Sequence, residues 1–281
     1  MSIIQSIILG LVQGLSEFLP ISSSGHLAVF QHFMGIREED ILTFTVMLHF
    51  GTLLSIFVAY WSDIVALVKE LFLMIADICT GKGIQMNKNE TRRLGVMIVI
   101  ATIPAAVAGL LFEDFFNSLY SNMTFIGIGL LLTGTLLFSA EKWGGGDKDV
   151  EKMSMKSAFF VGICQALAMC PGISRSGMTM VGGLASKYNR AHAVRFAFLI
   201  SIPTVLGAFL LELPDAMEAI GQSSEAQMGA GALVIGVAVA AVSGYAAIKV
   251  MIRAVTNKKL IIFSIYTWMA GAALIIYSLV A

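Results

Sequence analysis

Glu17, Ser22, Ser23, Ser24 and His26 place a carboxylate, three hydroxyls and an imidazole within ten residues of strongly apolar sequence. A base, hydroxyl nucleophiles and a proton carrier are the kit for moving a phosphoryl group, with His26 as acid/base or nucleophile. The stretch from Gly10 to His26 also recurs from Gly162 to Gly177. Gly10 aligns with Gly162, Gln13 with Gln165, Leu15 with Leu167, Ile21 with Ile173, Ser22 with Ser174, Ser24 with Ser176 and Gly25 with Gly177. The chemistry lies in the differences, where Glu17 faces Met169 and Ser23 faces Arg175.

Gly10, Gln13, Gly14 and Glu17 share one helical face, so two glycines admit a neighbouring backbone while an amide and a carboxylate point into the approach. Helix packing around a hydrogen-bonded polar pair would explain this face without function. A carboxylate inside a membrane segment, however, costs several kcal/mol unless it is neutral, paired or functional. Glu17 is therefore expected to hold a divalent cation or to transfer a proton. Ser22-Ser23-Ser24-Gly25 and Ser174-Arg175-Ser176-Gly177 each open a new helix, where serine is an ordinary cap. Two such starts aimed at one spot make an anion site from free N–H groups and positive dipole ends. Arg175 adds a planar fork suited to phosphate oxygens. The competing reading is a purely structural ion pair between Arg175 and Glu17. His49 and Thr45 share a face of an apolar run and fit a supporting or a packing role equally; His32 and His192 are given none.

The elements that must position these groups are transmembrane. The 281 residues are 57% hydrophobic and 13% charged, which excludes an ordinary soluble domain and fits an all-α polytopic membrane protein. Apolar runs at about 42–60, 94–112, 123–140, 195–213, 229–248 and 260–280 each approach the ~20 residues that span ~30 Å of hydrocarbon. The two repeated stretches, about 2–35 and 157–186, are instead broken by Pro and Gly and restart as short helices. Each reads as a re-entrant hairpin, a broken backbone tolerated only where it is buried in protein or lines a wet cavity.

Charge orients this frame. With both termini outside, sixteen of the eighteen Lys and Arg fall in inside segments, from Lys69 to Arg93, Lys142 to Lys156, Lys187 to Arg195 and Lys249 to Lys259. Arg37 alone lies outside and Arg175 lies within the second hairpin, while Glu113, Asp114, Glu212, Asp215, Glu218 and Glu225 fall in outside loops. The first hairpin then enters from outside and the second from inside. Residues 1–143 and 150–281 become inverted-topology repeats, each a hairpin followed by three spans, with the tips meeting near the midplane. The segment 62–93 and Gly144-Gly145-Gly146-Asp147 read as the flexible connections. The start, Met1-Ser2-Ile3-Ile4-Gln5, has no basic region of a cleaved signal. Cys79, Cys164 and Cys170 lack metal-ligand spacing and read as packing residues. Zero net charge and the absence of a basic run exclude nucleic acid as a partner.

Gln13-x-x-x-Glu17 followed by Phe18-Leu19-Pro20-Ile21-Ser22-Ser23-Ser24-Gly25-His26, together with Pro171-Gly172-Ile173-Ser174-Arg175-Ser176-Gly177, resembles the motifs of the undecaprenyl-diphosphate phosphatase family. These are integral plasma-membrane enzymes linked to bacitracin resistance, and the resemblance covers essentially the whole chain. It implies hydrolysis of a polyprenyl diphosphate, undecaprenyl diphosphate, to the monophosphate and inorganic phosphate, which recycles the carrier lipid of cell-wall synthesis. It implies a divalent cation, Mg²⁺ or Ca²⁺, positioned by Glu17 with help from the amide oxygen of Gln13. The family carries Glu or Gln at the position of Gln13, so this chain has one carboxylate where others have two. Ser22, Ser24, Gly25, Ser174, Arg175, Ser176 and Gly177 would hold the diphosphate in a site toward the outer face. Ser23 or His26 would attack or activate the attacker; phosphoserine, phosphohistidine and direct attack by water stay open, with Ser23 as nucleophile and His26 as its base preferred. A flippase or secondary transporter on the same inverted frame is the rival, although a carrier has little use for Glu17, Ser23 and His26 on one repeat alone. A purely structural membrane subunit is a third reading, and it would tolerate loss of all these groups. A homodimer is compatible with a bundle of this size.

Overall fold

The computed structural model describes residues 2–36, 38–120, 122–222 and 230–280. The outer-loop charges Arg37 and Glu225, and the side chains of Asp215 and Glu218, lie outside the described residues. The described residues form eleven helices: α1 Ile3–Phe18, α2 Ser23–Met34, α3 Glu38–Ala59, α4 Trp61–Cys79, α5 Glu90–Leu119, α6 Met123–Trp143, α7 Met155–Leu167, α8 Arg175–Ala185, α9 Arg190–Gln222, α10 Ala230–Thr256 and α11 Ile261–Val280. Among them, five helices are long and apolar enough to cross a membrane, or six if the α3–α4 pair, bent by 88°, is one broken span. The chain is thus an all-helical, multi-pass membrane protein. Helices α1 and α7 are apolar but shorter, and each is followed after a break by a short polar-capped helix.

Helix packing exchanges partners between the halves. α1 runs along α10 as α7 runs along α5, and α3 meets α10 as α9 meets α5; α6 lies against α11, and α3 against α9. Small residues make the closest of these contacts, as expected where backbones rather than apolar bulk must meet in lipid. At Gly14 a Cβ would stand 2.6 Å from the Ala240 carbonyl oxygen, so α1 reaches α10 only because nothing projects there. Gly172, in the α7–α8 break, has φ +85°, where only glycine is unstrained, and its Cα side abuts the Ile126 carbonyl of α6.

The segment 62–93, expected to be a flexible connection, is mostly the helix α4. From Trp61 to Cys79 the sequence holds no Gly or Pro, so nothing interrupts helical hydrogen bonding until Gly81. Trp61, Val65, Val68, Phe72 and Ile75 repeat at helical spacing and are exposed, the pattern of a helix resting in a lipid interface. The Gly144–Asp147 connection is pinned rather than loose: Gly146 N donates to Tyr188 O at 3.1 Å, and Asn189 N donates to Lys148 O at 2.8 Å.

These contacts belong to a charged end where distant segments interlock. Buried Arg92 donates to Glu70 at 2.6 Å and to Asp77 at 2.7 Å, and Arg195 pairs with Asp63 at 2.6 Å. Glu141 takes Arg190 at 3.1 Å and the Leu260 amide at 2.9 Å, and Arg93 reaches the Met153 carbonyl. In the exposed connector Lys152 donates to Asp147 at 2.7 Å, which holds that carboxyl below the usual range. The segments assigned to one side by their Lys and Arg content are therefore brought to one end of the bundle.

Candidate active site

Two helix starts built alike meet at the centre of the fold. Ser22 caps α2 with its hydroxyl accepting from Gly25 N at 3.3 Å, and Ser174 caps α8 by accepting from Gly177 N at 3.2 Å. Each capping hydroxyl lies 3.3 Å from that of the serine two residues on, Ser24 or Ser176. The caps use only the third amide of each helix, so the amides of Ser23, Ser24, Arg175 and Ser176 keep the anion-binding capacity of a helix start. The tips interleave: Gly177 packs against Pro20, Gly25 packs against Gly172, and the Ser176 hydroxyl donates to Leu19 O at 3.4 Å. Thr133 of α6 braces the second tip by accepting from Ser174 N and donating to Gly172 O, both at 3.1 Å.

Glu17 is the hub. Its Oε1 accepts from Arg175 Nη2 at 2.8 Å, and its Oε2 accepts from the Ser23 hydroxyl at 2.6 Å and from Gln13 Nε2 at 3.1 Å. The Arg175–Glu17 pair weighed from sequence as a structural alternative is formed. It uses one of the five N–H donors of a guanidinium that is 27% exposed, leaving the rest of the fork for an anion. A narrow cleft of about 10 Å³ lies beside it, lined by Glu17, Phe18, Arg175, Ser176, Ala197, Phe198 and Ser201.

His26 has both ring nitrogens engaged. Nδ1 lies 2.8 Å from Ser22 O, and because a carbonyl only accepts, Nδ1 carries the proton. In the neutral ring Nε2 then accepts from the Tyr266 hydroxyl at 2.6 Å, and the two rings stack at 5.6 Å. The expected use of His26 as base for Ser23 is thus not the contact made; the Ser23 hydroxyl points its proton at Glu17. Ser22 reaches this geometry at φ 71°, an uncommon conformation for a non-glycine residue that turns its carbonyl to His26. Tyr266→Phe should lower turnover by up to roughly tenfold, the worth of one hydrogen bond of about 0.5–1.5 kcal/mol, with KM unchanged. Steady-state phosphate release checks this, and an unchanged rate would remove Tyr266 from the site.

Gln13 is fully buried, and its Oε1 has no hydrogen-bond partner among the described residues. An orphaned amide oxygen beside a carboxylate fits a hard divalent cation, which is commonly held by one or two protein oxygens and completed by water and substrate phosphates. Among the described residues no three His, Cys, Asp or Glu side chains cluster, so the donor set is an open one. Gln165, the counterpart of Gln13, is buried with both amide atoms unpartnered, and Met169 takes the place of Glu17. The reactive set is therefore confined to the first tip plus Arg175.

His49 lies near Glu17, at 3.9 Å, while His32 contacts Tyr277 and His192 contacts Met153, both away from the tips. Sequence reasoning missed Tyr266, Tyr120, Phe198 and Ser201. Tyr120 caps the end of α5 opposite the charged end. Buried Cys164 and partly buried Cys170 are free thiols, and Cys79 is exposed.

The sequence profile of the family described as Bacitracin resistance protein BacA matches residues 6–273. An undecaprenyl-diphosphatase of Alkaliphilus metalliredigens is 48% identical over 280 residues, covering 99% of this chain and 100% of that protein. One of Halothermothrix orenii is 40% identical over 276 residues, covering 98% of each. One of Methanosphaera stadtmanae is 39% identical over 283 residues, covering 100% of this chain and 99% of that protein. With its paired helix starts, its Glu17–Arg175 hub and this end-to-end similarity, the chain belongs to the BacA family.

Proposed function

We propose that this chain hydrolyses undecaprenyl diphosphate to undecaprenyl phosphate and inorganic phosphate, recycling the lipid that carries cell-wall precursors and so conferring bacitracin resistance. The observation that carries the reading is the convergence of two helix starts and Arg175 on Glu17 and Ser23. A dispersed phosphoryl transition state needs fixed donors and positive charge around its oxygens. The first-turn amides of α2 and α8 and the guanidinium of Arg175 supply them, while Ser22, Ser24, Ser174 and Ser176 line the tips.

Ser23 attacks the terminal phosphorus as its proton passes to Glu17 Oε2, 2.6 Å away. The bond from that phosphorus to the bridging oxygen breaks, and the lipid monophosphate leaves with the bridging oxygen. Water then cleaves the phosphoseryl ester, restoring the Ser23 hydroxyl and releasing phosphate. His26, its Nδ1–H fixed by Ser22 O and its Nε2 accepting from Tyr266, holds the turn that presents Ser23. The Glu17 carboxylate and Gln13 Oε1 would hold a divalent cation, Mg²⁺ or Ca²⁺, whose chemistry is to neutralise phosphate charge.

The frame we assign is six spans and two re-entrant hairpins in inverted repeats, 1–143 and 150–281. Support comes from the matched tips and from the exchange of packing partners between halves. The Lys- and Arg-rich end faces the cytoplasm, which puts both termini outside. The ends of the helices away from the Lys- and Arg-rich end then lie toward the outer face, where the diphosphate headgroup enters while its tail remains in lipid.

The test is phosphate release from undecaprenyl diphosphate by the purified protein in detergent, with and without a chelator. Chelator-sensitive release, with a phosphoseryl adduct trapped at Ser23 by rapid acid quench, is expected. Release without an adduct in wild type and undiminished in Ser23→Ala would replace Ser23 by water as the nucleophile.

A further inference from the structure

His49 of α3 approaches the hub at Glu17 Oε2, while Arg175 holds the other carboxylate oxygen, Oε1. Its Nδ1 lies 2.9 Å from Thr45 O, so that nitrogen carries the proton and, in the neutral ring, Nε2 keeps a free lone pair. Nε2 stands 3.9 Å from Glu17 Oε2. That separation is too long for a hydrogen bond, whose N···O distance ends near ~3.2 Å. It lies within the ~4.4 Å that two ligands each ~2.2 Å from one shared cation can span, and a small closing movement of the ring would bring the pair to the ~3–3.5 Å of neighbouring ligands.

The surroundings agree. Arg175 occupies the other carboxylate oxygen, Oε1, so the face toward His49 carries no fixed positive charge from it. Gln13 gives its Nε2 to Oε2, which leaves its buried Oε1 as an acceptor with no donor among the described residues. Three acceptors, one carboxylate oxygen, one amide oxygen and one imidazole nitrogen, therefore belong to side chains gathered around Glu17. His49 is 27% exposed and Glu17 6%, which gives an ion a way in from the His49 side.

We propose that His49 Nε2 is a ligand of the divalent cation, with the Glu17 carboxylate and Gln13 Oε1. Mn²⁺ shares the carboxylate and carbonyl preference of Mg²⁺ and Ca²⁺ and is paramagnetic, so it serves as the probe of this site. This rests on the metal-assisted reading above.

The experiment is Mn²⁺ binding to the full-length protein in detergent, read by pulsed electron paramagnetic resonance for nitrogen coupling. Wild type and His26→Gln should bind Mn²⁺ with one coupled imidazole nitrogen. His49→Gln should lose the coupling and weaken Mn²⁺ binding by at least the roughly 10–100-fold that loss of even an outer partner costs. His49→Asp should regain affinity without nitrogen coupling, which separates a lost ligand from a damaged fold. Mn²⁺ bound by wild type without nitrogen coupling would overturn the role of His49 and leave the metal-assisted hydrolase intact. Coupling that survives in His49→Gln but vanishes in His26→Gln would overturn it in favour of His26. No Mn²⁺ binding by wild type would overturn the metal site itself.

Discussion

Arg175→Lys should lower phosphate release from undecaprenyl diphosphate by about 10³-fold or more, the scale on which an arginine stabilises a transferring phosphoryl group. The expectation follows from geometry more than from charge. Arg175 Nη2 holds Glu17 Oε1 at 2.8 Å, and the planar fork still presents parallel donors to two phosphate oxygens at once. A lysine ammonium can take the carboxylate or the phosphate, but it cannot span both with fixed angles. Arg175→Ala should be equally inactive. Neither change should unfold the protein, because Glu17 keeps its hydrogen bonds from Ser23 and Gln13. Turnover measured beside the helical circular dichroism of each variant checks this, and activity within tenfold of wild type for Arg175→Lys would sink the clamp.

Both tips were legible because their chemistry is written in consecutive residues. Ser22 to Gly25 and Ser174 to Gly177 form the capped helix starts that their composition implies, and Gln13 and Glu17 share the face that a spacing of four dictates. The broken helix pairs α1–α2 and α7–α8 start and stop within two residues of the Pro- and Gly-broken stretches 2–35 and 157–186. What could not be read is what distant segments bring. Tyr266 comes from the last helix and reaches His26 only through the packing of α6, α2 and α11. Phe198 and Ser201 line the cleft because α9 crosses the tips, and apolar periodicity does not say which turn will do so. The partner of Ser23 was misjudged for a local reason: proximity in sequence favoured His26, but the left-handed turn at Ser22 sends that ring to Tyr266 and leaves the hydroxyl to Glu17. α4 was taken for a loop because its charges were weighed and its unbroken helical spacing was not.

Glu17→Gln isolates the hub, since it keeps the shape and a hydrogen-bond acceptor and removes only the charge. Ser23 then loses the group proposed to take its proton, and the proposed cation site loses its carboxylate. Turnover should fall by about 10²–10⁴-fold from the lost base alone. The same change leaves Arg175 beside a neutral amide. Breaking a buried pair costs about 3–5 kcal/mol, but Arg175 is 27% exposed and solvent screens much of that, so a smaller loss of thermal stability is expected. The two effects separate in one comparison. Glu17→Gln and Arg175→Ala should each be inactive, whereas the double variant should recover stability relative to Glu17→Gln because no unpaired guanidinium remains, and should recover no activity. If the double variant is as unstable as the sum of the singles, Glu17 and Arg175 are not coupled; if Glu17→Gln turns over at more than a tenth of the wild-type rate, Ser23 must deliver its proton elsewhere. A residue that both anchors the arginine and, as proposed, accepts the serine's proton serves a diphosphatase and not a carrier, so the asymmetry between Glu17 and Met169 favours the hydrolase.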